Sequence, residues 1–272
     1  MITDEKEGNC ISVVIPSDLR DELAALSGTL SLSRAEIAEE ALRQYLADTK
    51  NRNAVYLSAP VNAMMKGIYV EKTTIGDIRR NGTFGLGTFN YLDGEMVMLD
   101  GKVYQLSADG FTHDVEDSVK TPFACVTHFN PDTVEEIEGE FDDATFNQLL
   151  ESLIPSNNMF YAVRIDGFFN HIKVWSVRRQ ENYTPLSAVA DAQPEFEYHD
   201  IEGTLAGFYS PRFIKSLNMP GFHLHFLTAD RKRGGHLHAC NLKRAVIGIQ
   251  HVPRLIMDLP LTLDYLTADL KR

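Results

Sequence analysis

"GFHLHFLTADRKRGGH", Gly221 to His236, packs three histidines into sixteen residues and closes a charged loop with two glycines. Side chains of a strand alternate between faces. A strand here turns His223 and His225 to one side and sends Leu224 and Phe226 into a core on the other. A sheet presents two ligands at once in this way. The pattern alone leaves two readings open, a metal centre or ordinary histidines on a polar strand face.

Composition limits what surrounds this stretch. The chain has 272 residues, 44% hydrophobic and 24% charged, enough for more than one compact folded unit. No apolar run approaches the roughly 18 residues of a membrane span. The start, Met-Ile-Thr-Asp-Glu-Lys-Glu, is acidic where a secretion signal is basic and then apolar, so a cytoplasmic protein is expected. Cys10, Cys125 and Cys240 are widely spaced and form no Cys-x-x-Cys pair, which predicts small buried hydrophobes rather than disulfides or a thiolate zinc site. A net charge of −12 argues against broad attraction to phosphate backbones.

Residues 1–50 read as a unit of their own. "CISVVIP" (10–16) is a β-rich run ending at Pro16. "SDLRDELAALSG" (17–28) places Leu19, Leu23 and Leu26 at helical spacing behind a Ser17 cap and ends at Gly28. A second helix opens on the capping box Ser33-Arg-Ala-Glu36 and carries an apolar stripe from Ile37 to Leu46. So small a unit cannot bury this apolar surface alone, so it should pair with a copy of itself or dock on the rest of the chain. Residues 9–48 resemble the ribbon-helix-helix family, which implies a homodimer whose paired strands enter the major groove of DNA. The resemblance makes Ser12 and Val14 the groove-facing positions, beside Cys10, and puts phosphate contacts at Ser33 and Arg34. Base readers usually carry Arg, Lys, Asn or Gln there, and residues 1–50 hold five basic side chains against ten acidic ones. "TKNRN" (49–53) is the expected linker.

Residues 51–272 read as an α+β body of mostly antiparallel or mixed sheet. "NGTFGLGTFNYLDGEMVMLDGKVYQLSADG" (81–110) contains two Asp-Gly turns between β-prone runs and predicts successive hairpins. Gly82, Gly85 and Gly87 lack the Gly-Lys-Ser/Thr ending of a phosphate loop and are read as tight strand packing. "DTVEEIEGEFDDATFNQLLESLI" (132–154) shows a helical pattern, and "NMFYAVRIDGFFNHIKVWSV" (158–177) reads as strand, turn and strand.

The segments "GTFGLGTFNYLDGEMV", "VYQLSADG", "TPFACVTHFNPD", "FYAVRIDGFF", "GTLAGFYSP" and "GFHLHFLTADRKRGGH" together resemble the acetolactate decarboxylase family over residues 56–268. The resemblance implies two related sheet-containing halves and a zinc enzyme converting 2-acetolactate to acetoin and carbon dioxide. It makes His223, His225 and His236 the ligands of a Zn²⁺ ion, the loop through Gly234-Gly235 returning the third imidazole, and it matches Thr88 and Glu95 to active-site positions. Three histidines leave positions open for substrate oxygens, as catalytic zinc requires. Glu95 is the carboxylate expected to act on the substrate hydroxyl or on the proton. His238 is assigned a supporting or surface role, and His113, His128, His171, His199 and His251 core or surface duty.

Two departures from the family stand out. It places an arginine for the substrate carboxylate in a Thr-Arg-Thr-Val segment, where this chain reads "KVWSVRRQ" with Val174 or Trp175; Arg164, Arg178 and Arg179 are nearby but do not match. It also returns a glutamate from its tail, for which Asp264 and Asp269 are the later acidic residues here. Two readings follow: a zinc-dependent decarboxylase dimerised by its first unit, or a transcriptional regulator in which a decarboxylase-like domain binds a small oxo- or hydroxyacid and controls DNA binding.

Overall fold

Ser33 and Glu36 exchange hydrogen bonds at the start of a helix. The Ser33 amide donates to Glu36 Oε2 at 2.7 Å, and the Glu36 amide donates to Ser33 Oγ at 3.2 Å, the reciprocal capping box expected. The structure is a computed structural model that describes residues 13–50, 53–181, 183–189 and 193–270. It divides into two compact units, Met1–Arg52 and Asn53–Arg272.

The first unit contains α1 (Ser17–Leu30) and α2 (Arg34–Lys50). Helix α1 runs past Gly28 and stops where Ser31 turns left-handed, because an isolated glycine weakens a helix without having to end it. Its N-cap is Pro16 rather than Ser17, with no side-chain cap. Helix α2 reaches Lys50, so residues 49 and 50 of the expected linker are helical. Of the expected strand, residues 10–12 lie outside the described residues, Ser12 among them, and residues 13–16 carry no regular structure. Val14 is fully exposed there.

In the second unit the strands are β1 (Ala54–Leu57), β2 (Phe84–Thr88), β3 (Glu95–Leu99), β4 (Lys102–Leu106), β5 (Thr112–Asp114), β6 (Ala124–Thr127), β7 (Thr133–Phe141), β8 (Phe160–Trp175), β9 (Glu195–Ser210), β10 (Gly221–Thr228), β11 (Gly234–Val252) and β12 (Arg254–Met257). The helices are α3 (Val61–Met65), α4 (Ile75–Asn81), α5 (Asp143–Leu153), α6 (Leu186–Val189) and α7 (Leu263–Thr267). A seven-stranded sheet has the order β12-β1-β6-β2-β3-β4-β5, and a five-stranded sheet the order β10-β9-β8-β11-β7. The expected halves are therefore not simply consecutive in sequence. The last strand, β12, returns to the first sheet and pairs parallel with β1.

Alternation along the strands decides what lies between the sheets. Phe84 and Leu86 of β2, Val97 and Leu99 of β3, Phe208 of β9 and Leu227 of β10 share one buried cluster. Each such side chain contributes about 1.5–3 kcal/mol by leaving water. Thr88, Glu95, His223 and His225 have the same strand parity as these residues, so they too face inward between the sheets. The opposite side of the five-stranded sheet buries Leu224 and Phe226 with Phe146 and Leu150 of α5, and that of the seven-stranded sheet buries Met96 and Met98 with Ile75 and Ile78 of α4.

Three sequence expectations change. Residues 133–141 are strand β7 rather than helix, pairing with β11, and the helix begins only after Asp142 caps it by accepting from the Thr145 amide at 2.9 Å. The glutamates of β7 lie on an open sheet face, where an alternating strand and a solvated helix have similar composition. Asp166-Gly167 is no turn: β8 runs straight through it, because Asp166 accepts from Thr204 and Arg164 while Gly167 lies against the Arg244 backbone. Asp100-Gly101 makes the tight hairpin expected, both with positive φ, but Asp93-Gly94 closes a longer turn that begins at Asn90. Gly85 and Gly87 sit under the carbonyls of Cys125 and Phe123, the close packing expected. Cys125 and Cys240 are buried free thiols, and Cys10 lies outside the described residues. Among the described residues no helix is long and apolar enough to cross a membrane.

Candidate metal and active site

Strands β10 and β11 form an antiparallel hairpin in which His225 stands directly opposite His236. His236 also pairs with Trp175 of β8, so the five-stranded sheet curls closed at this end. The loop that brings His236 back is held by Thr228, whose hydroxyl receives the amides of Lys232 and Arg233. Ring centroids are 5.1 Å apart for His223 and His225, 4.8 Å for His223 and His236, and 5.1 Å for His225 and His236. One nitrogen of each lies within 4.8 Å of the others, a group able to hold a metal ion.

Burial keeps these imidazoles neutral. Loss of hydration pushes His223 down to about 4 and His225 to about 3, the neighbouring imidazole adding to the latter, and holds His236 well below its ordinary value. His225 Nδ1 lies 2.7 Å from the Met96 carbonyl. A carbonyl only accepts, so Nδ1 carries the proton and Nε2 keeps a free lone pair. That Nε2, like Nδ1 of His223, is buried with no hydrogen-bond partner. Orphaned buried acceptors are costly, and converging lone pairs on neutral imidazoles are what a divalent ion needs, so the residues fit the implied metal.

Glu95 and Thr88 come from the facing sheet, directly opposite each other on β3 and β2. The Thr88 hydroxyl donates to the Gly94 carbonyl at 2.6 Å and so pins the turn that leads into Glu95. Burial raises the Glu95 carboxyl to about 8, which leaves it protonated at neutral pH in the metal-free protein.

Thr88, Glu95, His223 and His236 line a cavity of about 210 Å³ whose remaining wall is largely apolar, including Leu92, Phe123, Trp175 and Phe222. Trp175 is met in the sequence only as a departure from the family arginine, and no pattern points to Leu92, Phe123 or Phe222, which come from elements far apart in sequence. Among the described residues no lysine or arginine lines the cavity. Trp175 lies against His236, ring centroids 4.5 Å apart. Arg164 is occupied by Asp100 and Asp166, and Arg179 lies over the Tyr91 ring near Asp93. Asp264 accepts from Tyr183, and His238 is half exposed beside Glu195. A larger, open cleft of about 640 Å³ along the five-stranded sheet contains no histidine and is crossed by the Arg244–Glu202 ion pair.

Fold and site together define a two-sheet protein with a buried three-histidine centre facing a carboxyl group across the seam. The sequence profile described as alpha-acetolactate decarboxylase matches residues 55–272. The chain is 42% identical to the alpha-acetolactate decarboxylase of Methylococcus capsulatus over 219 residues, 80% of this chain and 84% of that one. It is 35% identical to that of Methanosarcina mazei over 85% of this chain and 81% of that one. The crystal structure of alpha-acetolactate decarboxylase from Bacillus subtilis strain 168 superposes with a TM-score of 0.78 at 33% identity, covering 80% of this chain and 94% of that one. The chain belongs to the alpha-acetolactate decarboxylase family and is an enzyme of the carboxy-lyase class. Its first unit, residues 1–52, precedes the region that the family profile matches.

Proposed function

We propose that this chain is a zinc-dependent decarboxylase that converts 2-acetolactate to acetoin and carbon dioxide, with His223, His225 and His236 as the zinc ligands. The observation that carries this reading is the convergence of orphaned, neutral imidazole nitrogens beside a buried carboxyl group. A zinc ion held there supplies Lewis acidity toward the ketone and hydroxyl oxygens of the substrate. When the carbon–carboxylate bond breaks, its electron pair passes to the former ketone and carbon dioxide leaves. One proton must then reach carbon. Glu95, which faces the histidines from the other sheet, is the group placed to deliver it. Thr88 holds the Glu95 turn in place and keeps its oxygen lone pairs for the substrate hydroxyl. The apolar walls around Trp175 and Phe123 exclude water from the carbanion and receive the substrate's methyl groups. Anaerobic incubation of the zinc-loaded protein with 2-acetolactate should release acetoin and carbon dioxide in equal amounts. Release no faster than without protein would overturn the reading.

For residues 1–50 we propose self-association into a homodimer. Helices α1 and α2 leave Leu19, Leu26, Leu42 and Leu46 exposed, and no residue of α1 is buried. The test is the oligomeric state in solution after deletion of residues 1–50: an unchanged state would rule the role out. DNA control has no comparable support. The start of α2, where phosphate contacts were expected near Ser33 and Arg34, is closed by the Glu36 carboxylate.

A further inference from the structure

The exposed face of the five-stranded sheet carries a second group of donors. His171 on β8 stands directly opposite His199 on β9, and Glu197 lies two residues before His199 on the same strand face. His171 Nε2 is 3.2 Å from Glu197 Oε2, and the two imidazole rings are 4.9 Å apart. One ligand atom from each of the three lies within 4.8 Å of the others.

We propose that His171, Glu197 and His199 form a second divalent-metal site, a surface clip between β8 and β9 for a borderline transition ion such as zinc, cobalt or nickel. In a tetrahedral site with metal–ligand distances of about 2.0–2.2 Å, neighbouring donors are about 3.3 Å apart. The His171–Glu197 separation of 3.2 Å already matches that edge, and the His199 donor lies within 4.8 Å of both. The ladder holds both strands in register and so pre-pays most of the ordering that a surface site would otherwise require. Two imidazoles with one carboxylate select a late first-row ion over magnesium or calcium, which take mostly oxygen.

The neighbouring charges also leave the carboxylate available. Lys173 stands directly opposite Glu197 in the ladder, yet it leans two residues along the strand and binds Glu195 at 2.8 Å. His238 approaches the same Glu195, at 3.4 Å. Glu197 keeps a longer-range attraction to Lys173 and makes its direct contact with His171, at 3.2 Å. The alternate residues Ile172, Val174, Phe196 and Tyr198 point the other way into the core, which anchors the backbone that presents the donors. The three residues line none of the cavities described above and are partly or fully exposed. The site is a cross-strand clip rather than a second catalytic centre, with its remaining coordination positions open to water.

The test uses the full-length protein without an affinity tag, stripped of metal and equilibrated by dialysis against buffered free zinc at pH 7.5. Zinc per chain is measured for the wild type and for His171→Ala/His199→Ala. The variant should bind one ion fewer, and Glu197→Gln should weaken that same ion about tenfold or more. His238→Ala should match the wild type. Equal zinc in the wild type and in His171→Ala/His199→Ala overturns the proposal. The difference of one ion does not depend on whether the buried histidines are loaded: failure of the buried site lowers both counts together. Because His171 and His199 are partly or fully exposed, the double substitution leaves the core intact, and far-ultraviolet circular dichroism checks this.

Discussion

Glu95 Oε2 lies 3.6 Å from Nε2 of His225, the carboxyl group offered by one sheet and the imidazole by the other. In the metal-free protein this contact is not an ion pair. Burial keeps the imidazole neutral down to about 3 and the carboxyl neutral up to about 8, so two uncharged groups face each other at neutral pH. A metal held by the histidines would place positive charge beside the carboxyl and lower its pKa from the burial-raised value, so that Glu95 would give up its proton more readily.

Glu95→Gln should therefore lower kcat by about 10²–10⁴, the usual share of a positioned acid, with zinc content unchanged. The amide preserves shape and burial but has no proton to exchange. Loss of zinc together with activity would instead make Glu95 part of the metal's support, and an unchanged kcat would remove it from the chemistry.

Much of this site is legible in the sequence because it rests on period two. His223 and His225 share a face in any strand, and the charged loop ending in Gly234-Gly235 is short enough to return His236 opposite His225. Thr88 and Glu95 are legible only through their motif. Nothing in a seven-residue spacing says that Thr88 and Glu95 are direct cross-strand partners, since the turn between them is built from Tyr91 and Leu92 at positive φ. Misreading β7 as helix has a physical cause as well. "EEIEGE" is rich in helix-forming residues, and only pairing with β11, over a hundred positions away in the chain, makes it a strand. The Asp166-Gly167 pair looked like a turn for the same kind of reason, because its neighbours on β9 and β11 lie far off in sequence.

The pH dependence of stability follows from the same burial. His223 and His225 have folded values depressed below the 6.5 of the unfolded chain, so their contribution is present above 6.5 and is lost as pH falls toward about 4 and about 3. Glu95 is raised from 4.5 to about 8, so its contribution is complete below 4.5 and is lost as pH rises through 8. Below 6.5 the histidines outnumber the one glutamate and stability rises with pH; above 6.5 only the glutamate still acts. Metal-free protein should be most stable near pH 6.5 and lose roughly 2 kcal/mol by pH 8. Urea unfolding across pH 5–8.5 measures this, and in Glu95→Gln the alkaline decline should vanish while the acid limb stays. An alkaline decline that survives the substitution would assign it to another group.

Trp175→Arg addresses the missing counter-charge. No lysine or arginine among the described residues lines the cavity, and Trp175, one of the two residues (with Val174) where the family resemblance implies an arginine, stands against His236. A guanidinium there can pair with a substrate carboxylate in two parallel hydrogen bonds. The variant should lower KM for 2-acetolactate about tenfold, which corresponds to roughly 1.4 kcal/mol, and change kcat less. An unaltered or higher KM, with zinc content preserved, would show that the carboxylate is not held from this side.

Gly207→Ala should damage the metal site without touching a ligand. Gly207 lies on β9 opposite Leu224, between the two histidines of β10, and its backbone faces the other sheet at Leu86. A methyl group there would overlap the carbonyl oxygen of His223 and crowd the Leu86 side chain at 2.9 Å. The carbonyl belongs to a paired strand and cannot swing aside, so β10 must move away from β9 at the residue that carries the first imidazole. Overpacking of this kind costs about 1–3 kcal/mol, and misplacing a metal ligand's support lowers affinity about 10- to 100-fold. Gly28 in α1 is the contrasting case, with nothing within 4 Å of the added carbon, and Gly28→Ala should leave zinc affinity unchanged. Competition with a zinc indicator compares the two variants. If Gly207→Ala bound zinc as tightly as Gly28→Ala, the spacing between β9 and β10 would not be what positions His223.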